Sequence, residues 1–174
     1  MEPQIERLLK NYSNARRSWE VWCFMVNFNL KEKSFDTAQY ISTNELLSHL
    51  RYLAMKDFYI EMYKILKRSN NNKDNIFVLL KNLKLSNKYK SQEVENSLSK
   101  LEQTRLTIDS ICTVRDKFYA HLDKDYEKYL SIGIPLNDIL KCFKAIETSI
   151  ITLTSLKMIR SYLDKIPSRD ELRL

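Results

Sequence analysis

Apolar residues recur along this chain at intervals of three and four, the spacing that lines one face of an α-helix. From about Glu2 to Leu30 the stripe is Ile5, Leu8, Tyr12, Ala15, Trp19, Trp22 and Val26, with Arg16, Arg17 and Glu20 off it. Near the end of this first helix the pattern broadens, because Val21 to Val26 are apolar all round. A helix apolar on every side belongs at the centre of a bundle or under a partner chain.

Lys31 to Ile41 reads as a polar connection, and Ser42-Thr43-Asn44-Glu45 as a capping box in which Ser42 caps the helix and Glu45 reaches back. The second helix then runs to about Arg68, with Leu46, Leu50, Leu53, Ala54, Phe58, Met62, Ile65 and Leu66 facing inward. His49 lies beside that stripe with no arginine or carboxylate one turn before it, and reads as a structural or surface histidine. After the Ser69 to Lys73 loop, Asp74 is placed to cap a short helix carrying Ile76, Phe77, Leu79, Leu80 and Leu83. The longest uninterrupted pattern extends from about Ser91 to Leu122 through Val94, Leu98, Leu101, Ile108, Ile111, Phe118 and Leu122. Thr104, Arg105 and Arg115 interrupt its register. Lys124 to Pro135 is the clearest break, and a last helix from Asn137 or Asp138 to about Lys165 carries Ile139, Phe143, Ile146, Ile150, Leu153, Ile159 and Leu163. Residues 167–174 read as a frayed tail. The sum is one all-α domain over residues 1–174, a four- to five-helix up-and-down bundle.

Composition supports this reading. One glycine and three prolines in 174 residues leave little turn chemistry for hairpins. Cys23, Cys112 and Cys142 are far apart and sit among apolar residues, so they read as reduced core cysteines without metal-ligand or redox spacing. No apolar run approaches the 18 residues of a membrane span, and Met1 to Asn11 lacks a signal peptide's apolar core. A soluble, cytoplasmic protein with no membrane partner, metal or cofactor is expected. The formal net charge of +7 permits a polyanionic partner. Nine lysines and arginines against three acids between Lys56 and Lys90 give a local surplus of six. Such a segment is either a solvated lysine face or a track for a phosphate backbone, with Lys81, Lys84, Lys88 and Lys90 as the candidate RNA-binding residues.

The chemical oddity is Val114-Arg115-Asp116-Lys117-Phe118-Tyr119-Ala120-His121-Leu122-Asp123. Arg115 lies between Ile111 and Phe118 on the buried-looking side of the long helix, where an arginine needs a purpose. The phrase Arg-Asp-Lys-x-x-Ala-His-x-Asp, near the end of a long helix in an all-helical chain, resembles the HEPN superfamily and most of all its AbiU-type abortive-infection branch. The resemblance covers the whole chain in layout and is specific over Arg115 to Asp123. It implies an HEPN-like bundle in which Arg115 and His121 are the catalytic arginine and histidine, and Asp116 the polar residue that often follows the arginine. Active members cleave RNA without a metal at a site composed across a homodimer. A toxin or phage-defence endoribonuclease with a cognate antitoxin protein is therefore expected. Relatives that bind or regulate without cleaving carry the same motif.

Elementary chemistry agrees in part. RNA is cut by its own 2′-hydroxyl when a base removes that proton and a cation stabilises the charge gathering on phosphorus. Imidazole serves as acid or base near neutrality, and guanidinium grips two phosphate oxygens while staying charged. On a continuous α-helix, Arg115 and His121 would point roughly 120° apart and lie about 9 Å apart along the axis. Two such helices across a two-fold axis would bring one chain's histidine near the other's arginine. Lys117 and Asp123, with Asp116, are candidates to orient the pair. The opposing reading is structural: Arg115 pairs with Asp116 or another acid, and His121 ends the helix, where a cation is favoured. A non-catalytic helical module that binds protein or nucleic acid is the alternative function.

Overall fold

The first helix, α1 (Glu2–Met25), buries Ile5, Leu8, Leu9, Tyr12, Ala15 and Trp19, so the stripe seen in the sequence is the one that meets the core. It packs extensively on α2 (Glu45–Leu66). The two run antiparallel, since Ser18 donates to Asp57 at 2.6 Å while Arg7, a few turns earlier, clasps Asp74 beyond the end of α2 at 2.8 and 3.0 Å. This computed structural model describes residues 2–26, 39–40, 43–69, 74–86, 90–120 and 133–154. After α2 come α3 (Ile76–Ser86), α4 (Ser91–Gln103), α5 (Arg105–Val114), a π-helical turn (Arg115–Ala120) and α6 (Leu136–Leu153). Among the described residues every element is helical, and the fold is all-α.

The core gathers at the crossing of α1, α2 and α6. Phe58 is fully buried, with its ring 5.1 Å from Trp19, 6.0 Å from Phe143 and 5.1 Å from Tyr59. Such tilted and edge-on arrangements suit the aromatic quadrupole. The Tyr12 hydroxyl donates to the Glu147 carboxylate, tying α1 to α6. Burial first, and then the neighbouring carboxylate, push that phenol far above its usual range. On the other side, α4 and α6 run antiparallel. Ser97 and Thr152 share a buried hydroxyl–hydroxyl bond of 2.9 Å, and the Lys90 ammonium donates to the Thr152 carbonyl at 3.2 Å near the end of α6. A cation there meets carbonyls that the helix leaves unpaired.

Four local expectations are corrected. The cap of α2 is Asn44, whose side chain accepts from the Leu47 amide at 3.0 Å, and the short helix α3 is capped by Asn75, accepting from Val78 at 2.9 Å. Asp74 is drawn away from capping by Arg7. The long helix breaks at Thr104, whose hydroxyl and amide both turn back to the Leu101 carbonyl, at 2.9 and 3.1 Å. With φ −102° and ψ 16° it leaves the α region, and the break lets α4 and α5 each aim their own stripe at the core. Finally, Leu46, Leu50 and Leu53 do not face inward: they are 66%, 39% and 40% exposed. The fully buried residues of α2 begin at Phe58, with Met55 partly buried against the core, and Leu46, Leu50 and Leu53 before them are left on the surface. The expected first-helix residues beyond Val26, the last-helix residues beyond Thr154 and the Ser42 cap lie outside the described residues.

Candidate functional site

Helix α5 delivers the motif. Its buried residues Ile108, Ile111 and Val114 seat it against the core, and the chain then enters the π-helical turn at Arg115. That turn packs on α2. Arg115, Asp116 and Tyr119 all engage residues of one neighbouring segment, Tyr63, Lys67 and Tyr59. Single π turns of this kind recur at functional positions.

The resulting cluster is well defined. The Arg115 guanidinium carbon lies 4.2 Å from the centroid of the Tyr63 ring, and Nη1 donates to the Asp116 carboxylate at 2.9 Å. The other Asp116 oxygen accepts from the Lys67 ammonium at 3.0 Å, and Lys67 in turn lies 5.2 Å from the same Tyr63 centroid. One carboxylate is therefore held between two cations, both above a single aromatic face. Burial raises the Asp116 carboxyl, but hydrogen bonds from Lys67, Arg115 and Tyr63 outweigh it and hold the group below the usual carboxylate range. The same bond raises the Lys67 ammonium, so both partners stay ionised at neutral pH.

Arg115 thus has partners in its own chain, and its side chain is 31% exposed rather than buried. The structural pairing with Asp116 weighed from the sequence is present. The roughly 120° divergence expected between Arg115 and His121 falls outside the described residues, because His121 does. Lys117 is exposed on the same turn. His121, Asp123 and Lys88 lie outside the described residues.

Beside this cluster runs a ladder of rings. Tyr119 packs 5.5 Å from Tyr59 and 6.0 Å from Tyr52, and Tyr52 stacks on the exposed His49 at 6.4 Å. Burial pushes the Tyr59 phenol up to about 12, so the inner rungs serve as packing. Tyr119 is partly buried against the core and serves as a packing residue. Lys67 and Tyr63 were not singled out from the sequence. The signal was their place on one stripe of α2 with His49, Tyr52, Lys56 and Tyr59, all within an arc of about 80°.

Of the basic candidates, Lys81 is exposed on α3, Lys84 pairs with Glu95 and Lys90 with the Thr152 carbonyl. Two of the lysines therefore also brace helix packing. Burial pushes the Cys112 thiol up to about 11 and the Cys142 thiol up to about 12, so both are protonated near neutrality and poor nucleophiles. Among the described residues no group of three or more His, Cys, Asp or Glu is placed to hold a metal ion, and no helix is long and apolar enough to cross a membrane. Comparison with protein-family models, curated proteins and solved structures found no match.

Proposed function

We propose that this protein is a metal-independent endoribonuclease of the HEPN type, serving a toxin or phage-defence system from a site composed across a homodimer. The observation that carries the reading is the Arg115 guanidinium, poised on Tyr63 and ionised beside Asp116 at the motif that resembles HEPN proteins. Arg115 stabilises the charge gathering on phosphorus. His121 exchanges protons with the 2′-hydroxyl and the leaving oxygen. Asp116 and Lys117, with Asp123, orient the pair, and Lys81, Lys84, Lys88 and Lys90 guide RNA. The exposed row of Leu46, Leu50 and Leu53 favours a second chain against the bundle, because such a row costs free energy in water. A cognate antitoxin protein is a further candidate partner.

Purified protein incubated with mixed RNA in EDTA tests the reading. Cleavage in the wild type, abolished in both Arg115→Ala and His121→Ala, is expected. Intact RNA in every lane overturns it in favour of a non-catalytic helical interaction module. Light scattering at low micromolar concentration is expected to report twice the chain mass of 20.8 kDa, and a monomer would exclude the composite site.

A further inference from the structure

Two cations from different helices converge on one carboxylate. Lys67 from α2 and Arg115 from the π turn each reach a different oxygen of Asp116, at 3.0 and 2.9 Å, above the Tyr63 ring. The two non-bridging oxygens of a phosphodiester share one negative charge and offer much the same pair of acceptors. All three partners are only partly buried: the side chains of Lys67, Asp116 and Arg115 are 37%, 29% and 31% exposed, so an anion from solvent can approach them. A pair this exposed is held weakly, by about 1 kcal/mol or less. Displacing Asp116 therefore costs an incoming anion little.

We propose that Lys67 and Arg115 form a two-cation phosphate site, and that Asp116 is its resident occupant, displaced by a phosphodiester of single-stranded RNA. The inference rests on the RNA reading above for its ligand class and adds Lys67 and Tyr63 to the site. An unpaired strand suits the surroundings better than a free phosphate. Tyr52 and His49 lie on the same stripe of α2, roughly 22 Å and 27 Å along the helix from Lys67, and are exposed rings on which bases can stack. Asp116 then has two duties in sequence. It holds the guanidinium and ammonium in place while the site is empty, and it yields them to the phosphate on binding.

This predicts effects of opposite sign from neighbouring residues. Binding of a short fluorescent single-stranded RNA is measured by anisotropy in EDTA over a series of salt concentrations. Lys67→Met should weaken binding about tenfold and reduce the salt slope by about 0.7, the share of one phosphate contact on a single strand. Lys67→Arg should keep most of the affinity. Asp116→Asn should tighten binding three- to tenfold, because the cations are released from their internal competitor. Inorganic phosphate at millimolar concentration should compete with RNA in the wild type and less well in Lys67→Met. Far-UV circular dichroism checks each variant's fold, and Asp116→Ser replaces Asp116→Asn if the latter does not fold. A merely structural ion pair would leave affinity unchanged or lower it in the folded Asp116 variant, which overturns the proposal, as does wild-type protein that binds no RNA. RNA that is bound but never cut instead counts against the nuclease reading alone, since none of these measurements uses cleavage.

Discussion

Replacing Phe58 with alanine tests the packing on which the candidate site stands. The ring is fully buried and touches Trp19 of α1, Phe143 of α6 and its own neighbour Tyr59, so one side chain joins three helices. Removing a buried phenylalanine costs about 3–5 kcal/mol, from lost transfer energy and from the cavity left behind. The lower end applies where neighbours collapse into the gap. Here they belong to three separately anchored helices and cannot all move inward, so about 4 kcal/mol is expected. That is a large part of the roughly 5–15 kcal/mol that a domain has in total. At about 2–4 °C per kcal/mol for a chain of this size, the melting temperature should fall by about 8–16 °C. Urea unfolding followed by circular dichroism and by Trp19 fluorescence would measure it, with an unchanged denaturant slope. Phe58→Leu, which keeps most of the volume, should lose less than about 1.5 kcal/mol. A loss below about 1.5 kcal/mol for the alanine variant would mean that the ring does not bridge the three helices. The seat of the π turn on Tyr59 would then lose its support in the core.

Three other perturbations separate the remaining claims. Because the folded Asp116 carboxyl is held below its ordinary value of 3.8, its stabilising contribution is present above that value and is lost as pH falls through the folded pKa. The stability gap between wild type and Asp116→Asn, measured by urea titration, should therefore close between about pH 5 and pH 2; a gap independent of pH would exclude the ionised cluster. Glu61 is buried with Oε2 unpaired while Oε1 pairs with the more exposed Lys64, so Glu61→Leu should stabilise by about 1 kcal/mol in thermal unfolding, and destabilisation would mean the carboxylate has a partner. Neutralising Lys81, Lys84, Lys88 and Lys90 together should flatten the salt dependence of RNA affinity, whereas an unchanged slope leaves them as residues of solubility and packing.

Much of the fold was legible because helical periodicity reports burial directly. Ile5, Leu8, Tyr12, Ala15 and Trp19 of α1, and Phe58, Met62, Ile65 and Leu66 of α2, lie where their spacing placed them. The same signal misled at Leu46, Leu50 and Leu53, since spacing reveals a face but not whether a neighbour reaches it. Thr104 was visible as a polar interruption, yet whether a helix tolerates or breaks at such a residue depends on where its hydroxyl bonds, here back to Leu101. In the site, Arg115 and Asp116 were legible from their oddity on an apolar stripe. Lys67 and Tyr63 were not, because they come from a helix 49 positions away from Asp116 along the chain, and only folding brings them to it. The π turn itself left no mark that residue spacing could carry.

That turn makes the chain sensitive to its own length at one place. Along α1 or α6, losing one residue would rotate everything downstream and misalign the buried stripe that follows it. Between Arg115 and Ala120 the backbone already winds more loosely than its flanking helix, so the deletion of a single residue could be absorbed by rewinding to ordinary α-helix. A loss after Asp116 would keep Ile108, Ile111 and Val114 in place, while Tyr119 downstream of it would turn away from Tyr59 and Tyr52. The ring contacts of Tyr119 could therefore be gained or lost by an insertion or deletion of one codon, with the bundle left standing.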